Sequence, residues 1–172
     1  MTDSLTTYKL IILYMLDKVD FPLTNSQISE FILDKGYTNY FTLQQALNEL
    51  ADAEFIRSRQ VRNSSHYTIT AAGRETLEYF GSNIPQAMRD DVDLFLQDHH
   101  YQLRNESEPL ADYYQEKPNL FIVNCEVREG HHKLISLSLS VTTKEQAIAI
   151  CDNWKKKNSD VYSYLIHTLM LS

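Results

Sequence analysis

Three arginines, Arg57, Arg59 and Arg62, stand in a stretch between Ile56 and Thr70 that contains no Asp or Glu. In a chain of formal net charge −7 this is a local concentration of positive charge. Guanidinium groups pair bidentately with phosphate oxygens. Arg57 and Arg59 are two residues apart, so on a strand both leave the same face. Such a pair suits contact with a nucleic-acid backbone or entry of an arginine into a minor groove. His66 joins the three arginines as a candidate on the same hairpin. A second set lies just upstream and is made of amides and hydroxyls. Glutamine and asparagine match the donor and acceptor edge of adenine, and threonine can touch a thymine methyl. Thr42, Gln45 and Asn48 are the candidates for base contact, with Gln44 on the same polar side. Thr38, Asn39 and Tyr40 fall at the start of that helix, where free backbone amides can hold a phosphate. The bland alternatives are a solvated helix face and solubilising charge on an edge hairpin.

Positioning these residues requires a particular order of elements. Apolar residues recur at helical spacing over 5–19 and cover more than one face, as in a helix at the centre of a small domain. Thr24 and Gln27 form a capping-box pattern that starts a second helix at about 25–34, and Gly36 supplies its left-handed end. A third helix is expected over 40–53, with Leu43, Ala46, Leu47 and Leu50 facing inward. Strands over 56–62 and 66–69 flank a turn at 63–65. A fourth helix begins at Thr70 and reaches about Phe80. The second and third helices are joined by a short glycine-containing connection, as in a helix-turn-helix unit, and the hairpin follows as a wing.

The segment Gly81-Ser82-Asn83-Ile84-Pro85 carries stop and start signals. It is read as the junction between a DNA-binding domain, 1–81, and a second domain, 85–172. The second block predicts a long helix over 86–104, a short helical turn at 110–115, and strands over 119–129 and 132–141 around a turn at Gly130. In the latter strand Leu137, Leu139 and Val141 alternate with serines, the period of a half-buried sheet. An amphipathic helix over 143–157 and a final strand over 159–171 complete it. The expected class is α+β, an N-terminal winged helix-turn-helix followed by a small antiparallel-sheet domain.

Two strings carry a resemblance. Leu43-Gln44-Gln45-Ala46-Leu47-Asn48-Glu49-Leu50 followed by Phe55-Ile56, and then His66-Tyr67-Thr68-Ile69-Thr70-Ala71-Ala72-Gly73-Arg74, resemble the winged-helix families of bacterial transcriptional regulators. The second string is similar to the segment that ends the wing and opens the next helix in those proteins. Glu54 departs from the pattern, which often has glycine after the third helix. The whole chain also resembles a bacterial family known only as a domain of unknown function, with a winged-helix start and an α+β tail. The resemblance implies sequence-specific binding of double-stranded DNA by a homodimeric regulator. The alternative is a winged-helix module that binds a protein and never DNA.

Other chemistries lack a pattern. The adjacent pairs His99, His100 and His131, His132 point apart on a helix or strand, and no CxxC or HExxH completes a metal site. No phosphate-cradling glycine loop or nucleophile elbow occurs, so neither an enzyme nor a cofactor is expected. Asp90, Asp91 and Asp93 suit the positive end of the long helix dipole. Cys125 and Cys151 read as buried thiols. The longest apolar run, 10–16, is far short of a membrane span, and Met1-Thr2-Asp3-Ser4 is not a signal-peptide start, so a cytoplasmic protein with no membrane partner is expected. Residues 1–80 carry seven Lys and Arg against ten Asp and Glu. Electrostatic affinity per monomer is therefore modest, which favours a dimer bearing two wings. The second domain has either dimerisation, with Tyr113, Tyr114, Trp154, Tyr162 and Tyr164 as interface types, or a pocket for a small-molecule effector as its expected role.

Overall fold

The computed structural model describes residues 4–61, 63–129 and 132–171. Arg62, Gly130 and His131, named above, lie outside the described residues. The fold is α+β, with six α-helices and two antiparallel three-stranded sheets among the described residues. By its internal contacts the chain divides into residues 1–108 and 109–172.

The first unit is built around α1 (Ser4–Lys18). Leu10, Ile11, Ile12, Leu13, Met15 and Leu16 are all buried, so this helix is enclosed on several sides as its sequence predicts. β1 (Leu23–Thr24) leads into α2 (Asn25–Asp34). The capping box is formed: Gln27 N donates to Thr24 Oγ1 at 3.1 Å, and Thr24 N to Gln27 Oε1 at 2.9 Å. Gly36 takes φ +70° at the end of α2, while Gly36 N and Tyr37 N bond back to Leu33 and Ile32. That is the left-handed helix stop a glycine makes without strain.

α3 (Tyr40–Asp52) buries Leu43, Ala46, Leu47 and Leu50, the predicted stripe. The turn after it is tight. Glu54 N bonds to Ala51 O and Phe55 N to Leu50 O, both at 3.0 Å. Glu54 therefore adopts φ +62°, the conformation that glycine would take at no steric cost. The hairpin follows as β2 (Ile56–Val61) and β3 (Ser64–Ile69), with sheet order β1-β3-β2. Ile56 pairs with Ile69, and Ser58 with Tyr67; Ile56, Tyr67 and Ile69 are buried, while Ser58 is exposed. α4 (Ala71–Phe80) starts at a Thr70 cap and packs so closely that a Cβ on Gly73 would lie 2.1 Å from Phe55 O.

The long helix α5 (Gln86–Ser107) belongs to this unit. The division falls after Glu108 and not at 81–85, because Val92, Leu96 and Leu103 are buried in the same core as α1 to α4. Polar ties reinforce that packing. Gln27 Nε2 donates to Leu103 O and Glu106 Oε2, each at 3.0 Å. Tyr14 donates to Asp93 at 2.7 Å, and Tyr37 donates to Asp91. Asp91 and Asp93 thus accept hydrogen bonds from tyrosines, in addition to any interaction with the helix dipole.

The second unit contains β4 (Ala111–Lys117), β5 (Leu120–Glu129), β6 (His132–Val141) and α6 (Lys144–Met170). Two expectations are corrected here. Residues 110–115 form no helical turn; they pair with β5, Ala111 opposite Cys125 and Tyr113 opposite Val123. The expected strand over 159–171 is instead the continuation of α6. Thr143 and Gln146 make a capping box at its start. Asn158, between the expected helix and the expected strand, donates within the helix to Trp154 O and Lys155 O. The three-stranded sheet is consequently β4-β5-β6. Val123, Cys125, Ala111, Ala147 and Trp154 form its core, and the Trp154 indole donates to Glu126 O at 2.9 Å. Burial pushes the Cys125 thiol up to about 11, helped by Cys151.

Candidate nucleic-acid interface

Every α3 residue has its direction fixed by the buried stripe. With Leu43, Ala46, Leu47 and Leu50 inward, the outward line at i, i+4, i+7 and i+11 is Phe41, Gln45, Asn48 and Asp52, all exposed. Gln45 and Asn48 sit where the sequence predicts. Thr42 is half-buried beside that line, and its amide is taken by the cap, Thr42 N donating to Asn39 Oδ1 at 2.9 Å. Thr38 is half-buried; Asn39 is exposed and is the N-cap. Tyr40 is exposed and stacks edge-on against Phe41.

Gln44 does not belong to the outward face. Its amide is half-buried and turned toward α2, where Asn25 Nδ2 donates to Gln44 Oε1 at 2.8 Å and Gln44 Nε2 donates back to Asn25 Oδ1 at 3.0 Å. A polar residue type alone does not reveal that its partner is on a neighbouring helix. Phe41 shares that outward line and is not among the residues singled out from the sequence. It is 83% exposed, more than any other large hydrophobic side chain in the described residues. The signal was available: position 41 lies about 160° around the helix from Leu43 and so points away from the core.

Glu49 of α3 is engaged from two sides. Gln45 Nε2 donates to Glu49 Oε1 at 3.1 Å, and Lys9 Nζ lies 2.5 Å from Glu49 Oε2. The Lys9 bond, with that of Gln45, holds the Glu49 carboxyl below its usual range. Glu49 is therefore a paired charge beside the outward line.

On the hairpin, Arg57 stands opposite Thr68 and Arg59 opposite His66, the face away from Ile56 and Tyr67. Both arginines are exposed, and neither forms an ion pair among the described residues. His66 is half-buried between Arg59 and Thr24 in the ladder, and its Nδ1 is enclosed without a hydrogen-bond partner among the described residues. Acidic side chains gather elsewhere: Glu30, Asp34, Asp91, Asp98 and Glu106 line a groove of about 400 Å³ between α2 and α5. Among the described residues no group of three or more His, Cys, Asp or Glu is arranged to hold a metal ion, and no helix is long and apolar enough to cross a membrane.

The chain belongs to the DUF4364 family. The family model, described as a domain of unknown function, matches residues 8–169 and so spans both units. No curated protein and no solved structure matches the chain. Membership in DUF4364 assigns the chain no ligand.

Proposed function

We propose that this protein binds double-stranded DNA through a winged helix-turn-helix, with α3 in the major groove and the β2–β3 hairpin as a wing on the backbone, and that it acts as a homodimeric transcriptional regulator. The observation that carries the reading is the pair Arg57 and Arg59, exposed on one hairpin face with no ion pair among the described residues. Unneutralised guanidinium groups next to a helix with amides on its outer line are what backbone contact plus base readout require. The order of elements, three helices followed by a hairpin, supports the same reading. Dimerisation finds support at the end of α6, where Tyr164, Leu169, Met170 and Leu171 are exposed apolar surface.

The test is binding of a labelled duplex at low salt by the unmodified protein and by Arg57→Glu/Arg59→Glu. The reading expects binding that the double reversal weakens by tenfold or more, and by the same factor on every sequence, because phosphates are common to all duplexes. A second reading, a module that grips a protein partner, is favoured by the exposure of Phe41 and Tyr40 together with the acidic balance of the chain. It predicts no duplex binding by the unmodified protein at any salt concentration.

A further inference from the structure

We infer that α3 selects A·T-rich sites, with Phe41, Gln45 and Asn48 as the side chains that read them; the inference rests on the DNA-binding reading and names its target. These three residues lie on one line along the helix and are all exposed. Each has a chemistry that fits an A·T pair. The adenine edge in the major groove offers an acceptor at N7 and a donor at N6, which a Gln or Asn amide matches with two bonds. The thymine edge offers a C5-methyl group, which an aromatic ring covers. Guanine is read chiefly by Arg or Lys, and α3 contains neither.

Phe41 is the part of this set that solvation does not explain. A phenyl ring 83% exposed at the first turn of a helix contributes nothing to the core. It sits at the N-terminal end, which is the end that enters the groove in helix-turn-helix docking. Gln45 is oriented along the helix by one hydrogen bond. One of its two amide hydrogens is bound to Glu49, which leaves the second hydrogen and Oε1 for a base edge. The two carboxylates that face the line are both placed. Glu49 is neutralised by Lys9, and Asp52 is one turn beyond Asn48, at the end away from the bases.

The experiment compares two duplex pools of equal length and charge, one A·T-rich and one G·C-rich, by fluorescence anisotropy at fixed salt. It then repeats the A·T-rich measurement with every thymine replaced by deoxyuridine, which removes the methyl group and keeps the hydrogen bonds. The expected result is tighter binding to the A·T-rich pool by about tenfold, as one good bidentate pair gives. Uracil substitution should cost the unmodified protein about fourfold, the value of one buried methyl group. Phe41→Ala, whose helicity is checked by circular dichroism, should bind both A·T pools equally. Duplex binding with no base preference, or with preference for G·C, overturns the inference and leaves the DNA-binding reading intact. Equal sensitivity of Phe41→Ala to uracil removes Phe41 from the set and overturns the inference as stated. No duplex binding at all overturns both.

Discussion

Asn25 and Gln44 exchange two side-chain amide hydrogen bonds, 2.8 and 3.0 Å long, and so join α2 to α3. Asn25 is further engaged by Ser29 Oγ at 3.0 Å and lies 3.3 Å from the Tyr67 hydroxyl of β3. The pair thus fixes the angle of the helix that carries Gln45 and Asn48 against both α2 and the hairpin. Gln44→Ala should lower stability by about 1–2 kcal/mol, because both bonds to Asn25 and a longer one to Ser29 Oγ at 3.4 Å disappear and a partly buried amide is left short of partners. Chemical denaturation reads this directly, and an unchanged midpoint would contradict the clamp.

Glu54 pays a conformational penalty at φ +62°. A non-glycine residue in that region costs about 1–2 kcal/mol, partly offset by the lower entropy of its unfolded chain. Glu54→Gly is therefore expected to stabilise the protein by about 1 kcal/mol. The melting temperature should rise by a few degrees; a fall would mean that the Glu54 side chain makes an interaction worth more than the strain.

Gly73 is constrained by space, not by φ. A Cβ there meets Phe55 O at 2.1 Å and Ile69 Cγ1 at 2.9 Å. The carbonyl cannot retreat without breaking its bonds from Thr70 N at 3.1 Å and Thr70 Oγ1 at 3.0 Å. Gly73→Ala should destabilise by about 3 kcal/mol, the upper range for overpacking. Retained stability on denaturation would show that α4 shifts freely.

Tyrosine protons link stability to alkaline pH. Burial, with the hydrogen bond to Asp93, pushes the Tyr14 phenol up to about 12. Tyr37 is raised further, by burial and by its bond to Asp91. Unfolded tyrosines titrate near 10, so the folded state holds these protons more tightly. The stabilising contribution is whole below pH 10 and is lost as the pH rises through 12. Unfolding midpoints followed from pH 9 to about 12 should fall, and Tyr14→Phe/Tyr37→Phe should flatten the fall.

Much of the first unit was legible because its signals are local. The Thr24 and Gln27 capping box, Gly36 at φ +70° and the 43, 46, 47, 50 stripe each determine their own segment. The end of the final helix was not legible, because two periodicities overlap there. Tyr162, Tyr164, Ile166, Thr168 and Met170 alternate like a strand, yet no Gly or Pro interrupts 144–170. The half-buried positions 150, 151, 158, 161, 162 and 165 continue the helical line of Ala147 and Trp154. Within the candidate site, exposure of Arg57, Arg59, Gln45 and Asn48 followed from periodicity. The inward turn of Gln44 did not, because it depends on a residue 19 positions away.

The salt dependence of duplex binding reports on the phosphate contacts themselves. If Arg57 and Arg59 of each protomer in a dimer touch phosphates, log K should fall linearly with log salt concentration, with a slope of about −4 from these four groups alone. Arg57→Glu/Arg59→Glu should flatten that slope. Absence of duplex binding at low salt, or an affinity that does not change with salt, would mean that Arg57 and Arg59 do not engage phosphates.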